Sequence, residues 1–204
     1  MVEARGVATV PGGVVTSGFD GRSYQKRFDT LARQGVDVHG EATFVRSFSP
    51  RSVLDAGCGT GRVAIELDRH GIEVVGVDVD PSMIAEARRR APGLVWQLCD
   101  LADLDLGRNF DVVVMAGNVP RFCRPERRRD LVRACAGHVV EGGVLVAGFV
   151  LDPEYDVDQY DSVCADAGMD LQERFATWER GRYRPGDRYA VSVHRRSSGV
   201  QMSS

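Results

Sequence analysis

VLDAGCGTGR, residues 53–62, runs from an apolar strand through three alternate glycines, Gly57, Gly59 and Gly61, directly into a helical pattern. Missing side chains let the backbone turn tightly and come close to a ligand, and free N–H groups at a helix start favour a polar or anionic group. Glycines that simply make a strand-to-helix turn would look the same. The dinucleotide fingerprint GxGxxG fails in both frames, because its third glycine falls on Arg62 or on Ala64. The phosphate-loop pattern fails too, since no Lys-Ser or Lys-Thr pair follows. The next strand, EVVGVDVD at 73–80, places Asp78 at its carboxyl end, 17 residues beyond Gly61. A carboxylate there can accept two hydrogen bonds from ribose hydroxyls. Asp80, followed by Pro81, reads as a helix N-cap. The third strand closes on LCDL, residues 98–101, with Asp100 at the same sheet edge, as a partner for an exocyclic amine or as a loop cap.

Outward from that loop the chain alternates strand, turn and helix. Strands are expected at Ser52–Ala56, Glu73–Asp78, Leu94–Cys99, Phe110–Ala116 and Gly143–Phe149. Helices are expected at about 62–70, 81–90 and 125–138, with a polar link at 101–106. A nearly all-apolar run such as VVVM at 112–115 suits a strand buried on both faces of a parallel sheet. Before the sheet, apolar positions Tyr24, Phe28, Leu31 and Ala32 recur at helical spacing, and a second helical stretch covers about 40–48. After Val150 come a helix at about 157–167 with Gly168 behind it, and two strand-like runs, 170–178 and 188–194. The expected fold is α/β: a Rossmann-like, doubly wound, mostly parallel seven-stranded sheet with an antiparallel C-terminal hairpin. Residues 21–196 form one domain, with 21–49 as a helical lid on a 50–196 sheet, between a loosely ordered 1–20 and a disordered 197–204 tail.

Composition narrows the class. The 204 residues carry 26 Lys+Arg against 29 Asp+Glu, a formal charge of −3, with 43% hydrophobic and 27% charged residues. That is a globular balance with no general attraction for phosphate backbones, so no nucleic-acid partner is expected. The basic runs at 88–90 and 124–129 read as solvated helix faces. Cys58, Cys99, Cys123, Cys135 and Cys164 are odd in number and contain no CxxC pair, which predicts neither a disulfide framework nor a metal site. With no apolar leader and no membrane-length run, the expectation is a reduced, cytoplasmic protein without a membrane partner.

DAGCGTG at 55–61, GVDVDPSMIAEAR at 76–88, CDLADL at 99–104, FDVVVMAGNV at 110–119 and EGGVLVAGF at 141–149 together resemble the class I S-adenosylmethionine-dependent methyltransferases. The resemblance covers about residues 40–196. It implies S-adenosylmethionine as cofactor and S-adenosylhomocysteine as product. It places Asp55, Ala56, Gly57, Cys58, Gly59 and Gly61 at the methionine end, Asp78 and Val79 at the ribose, and Asp100 and Leu101 beside the adenine. Ala116 and Gly117 pass under the sulfonium. The N-terminal helices would cover the cofactor, with Tyr24 and Arg27 able to reach its carboxylate, although Tyr24 fits equally well as a packing anchor.

Methyl transfer is a direct displacement, and a base is needed only where the acceptor keeps its proton at neutral pH. Family members that methylate nucleobase or amide nitrogens usually carry Asn-Pro-Pro-aromatic after the fourth strand. This chain has AGNVPRF at 116–122, which points to a small organic acceptor. Asn118 either hydrogen-bonds that acceptor or holds the turn. His39 is a candidate general base or a helix-start packing residue, and Arg62 reads as a surface residue. Tyr155, Tyr160, Trp178 and Tyr183 are candidates for an acceptor wall, with Trp178 alternatively buried at a strand end. The expected protein is a methyltransferase, monomeric or homodimeric; a cofactor-binding protein of the same fold without transferase activity is the alternative.

Overall fold

The computed structural model describes residues 21–34 and 39–197; the side chains of residues 24, 27–29, 31 and 32 lie outside it. The expectations for 1–20 and 198–204 therefore fall outside the described residues. Two helices, α1 (Gly21–Arg33) and α2 (Gly40–Arg46), precede the sheet. Then follow β1 (Ser52–Ala56), α3 (Arg62–Asp68), β2 (Glu73–Asp78), α4 (Pro81–Arg90), β3 (Val95–Leu98) and β4 (Phe110–Met115). The chain continues through α5 (Val119–Phe122), α6 (Arg128–Gly137), β5 (Val139–Val150), α7 (Val157–Asp166), β6 (Met169–Phe175) and β7 (Tyr189–Arg196).

The sheet has seven strands in the order β3-β2-β1-β4-β5-β7-β6, parallel up to β5. β7 runs antiparallel between β5 and β6, so the expected hairpin closes the sheet with its last strand inside. The chain builds β1, β2 and β3 outward and then crosses back to place β4 on the other side of β1. The carboxyl ends of β1 and β4 thus flank the topological switch point, where sheets of this kind bind ligands. Both sheet faces are covered. One carries α2, α3 and α4 over Val53, Val74, Val112, Val144 and Val146; the other carries α6 and α7 over Leu54, Val75, Val113, Leu145 and Phe149.

Several boundaries differ from the sequence expectation for local reasons. β5 begins at Val139, not Gly143, because an irregular register after Phe110 lets Val139 pair with Phe110. There the bare Cα of Gly143 lies so close to Asp111 that a Cβ would stand 2.8 Å from its carbonyl oxygen. β6 stops at Phe175, where Ala176 N–H turns back to the carbonyl of Gly181 (2.8 Å). The helix expected from residue 125 opens as a 3-10 turn, Pro125–Arg127, before α6. Ser197, expected in a loose tail, donates its hydroxyl to Asp170. Neither basic run is uniformly solvated: Arg128 is buried with its guanidinium over the Tyr155 ring, and Arg90 donates to the Thr60 carbonyl. Among the described residues, no helix is long and apolar enough to cross a membrane.

Candidate functional site

The glycine loop leaves β1 at the buried Ala56 and is pinned to β2 from its first residue. Gly57 and Cys58 N–H groups both donate to the Val77 carbonyl (2.8 and 2.9 Å), and Gly61 N–H closes the turn on Cys58 (2.9 Å). All three loop glycines adopt left-handed backbone, with φ of +80°, +54° and +79°. At two of them the space a side chain would need is taken by the protein itself. A Cβ on Gly57 would stand 2.4 Å from Val119 Cγ2, and one on Gly61 would stand 2.4 Å from the Trp96 ring. Trp96 also fills the space over Gly76, so its indole is wedged between the loop and β2. Cys58 points to the same side, its sulfur near Gly76 and its thiol pushed upward by burial.

Asp78 is where the loop and the second strand meet. Its Oδ2 accepts from Gly59 N–H (2.8 Å) and its Oδ1 from Asp80 N–H (2.9 Å). Burial raises its pKa, and the amides of Asp80 and Gly59 pull it part of the way back. A carboxylate offers about four lone-pair positions, so two remain for a ligand. Val79 beside it is half-buried. Asp80 caps α4, accepting from Ser82 (2.8 Å) and Met83 (3.4 Å), as its position before Pro81 predicts. Asp100 caps the 3-10 turn Leu101–Asp103 through one oxygen, bonded to Ala102 N–H (2.9 Å), while Leu101 is buried in the core.

Asp55 does not line an open surface. It is 1% exposed, beneath the loop, and accepts from Ala64 N–H (3.1 Å) in the first turn of α3. Burial lifts its carboxyl from 3.8 to about 7, against the smaller opposing effects of the Ala64 amide and Arg62. Its role is to anchor the loop to the helix.

On the far side of the switch point, Ala116 is half-buried and Gly117 is exposed with φ +79° and nothing within 4 Å of where a Cβ would stand. Asn118 holds the turn: at φ +69° it donates its N–H to the Gly148 carbonyl (3.1 Å) and accepts from Val150 N–H at Oδ1 (2.7 Å). Of the four aromatics expected to wall an acceptor, Tyr155 and Tyr160 are buried against the α6/α7 face, and Tyr183 lies by Arg174. Trp178 sits at the strand-end edge. It donates its indole N–H to the hydroxyl of Tyr189 (3.1 Å), and the two rings close over Gly148.

The two N-terminal helices reach the loop and α3 through Gln25 and Glu41, residues to which the sequence reading gave no contact. Gln25, 6% exposed on α1, accepts the Thr60 hydroxyl proton (2.6 Å), and Arg90 at the end of α4 donates to the Thr60 carbonyl (2.7 Å). Arg62 is not a surface residue: its two guanidinium nitrogens grip both oxygens of Glu41 (2.9 and 2.5 Å), tying α2 to α3. His39 stands 3.7 Å from Glu66, one turn further along α3, so Glu41 and not His39 faces the loop end of that helix. Tyr24 and Arg27 fall on α1, but their side chains lie outside the described residues. A helical polar residue such as Gln25 carries no sequence signal of such a contact.

Comparison with known proteins bears on this geometry. Residues 53–143 match a methyltransferase domain family. The chain is 34% identical over 120 residues to the dTDP-3-amino-3,6-dideoxy-alpha-D-glucopyranose N,N-dimethyltransferase of Streptomyces fradiae, covering 55% of this chain and 47% of that one. It is 42% identical over 84 residues to the magnesium-protoporphyrin O-methyltransferase of Rhodobacter capsulatus, covering 39% and 37%. The chain thus spans about half or less of these relatives' length. Among solved structures, a TehB-like SAM-dependent methyltransferase from Corynebacterium glutamicum superposes with a TM-score of 0.81 at 29% identity, covering 87% of this chain and 98% of that one. Fold, glycine loop, β2 carboxylate and these likenesses agree: residues 53–143 are a methyltransferase domain, and the chain is similar to the class I S-adenosylmethionine-dependent methyltransferases.

Proposed function

We propose that the protein transfers the methyl group of S-adenosylmethionine to a small organic acceptor. The observation that carries this reading is Asp78, fixed by Gly59 and Asp80 amides at the switch-point edge with acceptor positions left for a ribose diol. The surrounding residues suit the rest of such a nucleoside. Asp100 has one oxygen bonded to Ala102 and the other to offer an adenine amine, and the open space at Gly117 leaves room beside β4 for a sulfonium. Asp78, Val79, Asp100 and Leu101 would hold the nucleoside, and Gly57, Gly59, Gly61, Ala116 and Gly117 would border the methionine end. Asp55 and Cys58 act from beneath, by holding the loop in shape.

The bound cofactor supplies an already activated methyl on a positively charged sulfur. What the chain adds is position: a well-oriented pair gains on the order of 7–11 kcal/mol over a bimolecular encounter. In this reading α1 and α2 form a lid, latched to the loop by Gln25 and to α3 by the Glu41–Arg62 pair. Tyr24 and Arg27 are kept as candidates for the cofactor carboxylate. Asn118 acts by shaping the turn under the acceptor. The two curated relatives methylate a sugar amine and a porphyrin oxygen by name, so they support a small acceptor without choosing the atom.

The test is a calorimetric titration with S-adenosylhomocysteine, with NAD as control. Saturable micromolar binding of the first alone is expected, whereas NAD binding with no S-adenosylhomocysteine binding would overturn the assignment. Formation of S-adenosylhomocysteine with an acceptor panel then separates a transferase from a protein that merely binds.

A further inference from the structure

The hairpin between β6 and β7 brings a compact group to the same sheet edge as the glycine loop. A Cβ on Gly148 would stand 2.4 Å from Trp178 Cζ2 and 2.6 Å from the Tyr189 hydroxyl, so both side chains lie directly on β5. Gly148 is the residue whose carbonyl receives Asn118 N–H, which places the pair one strand from Gly117 and its open space. The Tyr189 oxygen accepts from the indole, and burial pushes the phenol to about 12 with Glu41 and Glu179 adding to the effect. It stays a neutral phenol at neutral pH, and its oxygen keeps a second lone pair that can accept a ligand N–H. Facing this pair is the start of α2: a Cβ on Gly40 would be 3.0 Å from Glu179 Oε1 and 3.9 Å from Trp178 Cβ.

The charges around the group do not cancel. Arg62 neutralises Glu41 through a two-point contact. Arg180 is directed elsewhere, its guanidinium over Phe44 (4.7 Å) and Phe175 (5.0 Å), bonded to Ser47 and 3.5 Å from Glu173. Among the described residues no cation pairs with Glu179. An aromatic wall, a phenol oxygen with a lone pair left to accept, and one uncompensated carboxylate together favour a cation over a neutral or anionic group.

We infer that Trp178, Tyr189 and Glu179 form the acceptor subsite and that the acceptor is an amine, bound as its ammonium ion. This rests on the transferase reading above. The ammonium gives one proton to the Glu179 carboxylate, leaving the N–H electron pair on nitrogen. That pair forms the new N–CH3 bond while the C–S bond breaks, its electrons staying on sulfur as a neutral thioether. The methylated ammonium product keeps the positive charge that the sulfonium loses, and the proton on Glu179 passes to water.

The test uses the full chain saturated with S-adenosylhomocysteine and a fragment set built as matched triplets, each ring body carrying an amine, an alcohol or a carboxylate. Binding is read by ligand-observed NMR, and turnover with S-adenosylmethionine by S-adenosylhomocysteine formation. The amine member is expected to bind at least tenfold more tightly than its partners. Glu179→Gln should erase that preference, and Tyr189→Phe should weaken the amine severalfold, with S-adenosylhomocysteine affinity unchanged in both. Equal or better binding of alcohols or carboxylates, or of no fragment, overturns the amine subsite. Loss of S-adenosylhomocysteine binding by the unmodified protein overturns instead the transferase reading beneath it.

Discussion

Replacing Asp55 with Asn isolates the energetic cost of the carboxylate under the glycine loop. The amide has the same shape, and its oxygen can still accept from Ala64 N–H, which donates to Asp55 at 3.1 Å. What changes is the burden of charge. Burial raises the carboxyl from 3.8 to about 7, and at about 1.4 kcal/mol per tenfold change in proton affinity this amounts to about 4 kcal/mol. The folded state holds the proton more tightly than the unfolded chain, so Asp55 contributes its full stability below about pH 4. That contribution is lost as pH rises toward about 7, and it is flat above. Urea unfolding of the wild type and Asp55→Asn at half-unit steps from pH 4 to 8 reads this directly. The stability difference, Asn minus Asp, is expected to grow by about 1.4 kcal/mol per pH unit through the window and then level off. Titrations common to both proteins cancel in the difference. Parallel profiles across pH 4–8 would refute the reasoning, because they would mean that Asp55 ionises as readily folded as unfolded.

Asp78→Ala removes the acceptor from two backbone amides as well as the one proposed for the ribose, and S-adenosylhomocysteine affinity should fall by about 1.5–3 kcal/mol, the usual range for hydrogen bonds to a charged group; calorimetry within twofold of wild type would remove Asp78 from the site. Trp96→Ala empties the wedge between Gly61 and Gly76 and should cost about 3–5 kcal/mol in chemical unfolding, and a loss under about 1 kcal/mol would show that the indole does not fill that space. Gln25→Ala leaves the buried Thr60 hydroxyl without its acceptor, at about 1–3 kcal/mol. Hydrogen exchange at residues 59–61 should quicken, and unchanged protection would mean that α1 does not hold the loop.

Much of the framework was legible because it depends on local rules. The buried apolar strands β1, β2 and β4 announce themselves by composition, and Asp80 before Pro81 is a cap by chemistry alone. The boundaries that moved did so through partners distant in the chain. Val139 joins β5 because Phe110 is across from it, and Val119 opens the unexpected α5 against the bare Cα of Gly57. The site shows the same division. Asp78 and the loop glycines were found from spacing, yet two of those glycines are required by Val119 and Trp96, side chains that no spacing rule links to the loop. Asn118 left two roles open, and the Val150 and Gly148 contacts occupy it in the turn. His39 drew notice for its chemistry, while the neighbouring Glu41 makes the contact with Arg62.

By itself the sequence determined the order of strands and helices, the parallel sheet, and the loop and carboxylates along its edge, because hydrophobic period, glycine and capping act over a few residues. The tertiary structure alone decided which groups meet at that edge: Gln25 on Thr60, Glu41 on Arg62, Trp178 and Tyr189 on Gly148. Such meetings depend on how helices and the closing hairpin pack across the sheet, and packing joins residues as distant in the chain as Ser47 and Arg180, 133 positions apart, a separation at which local sequence pattern carries no information.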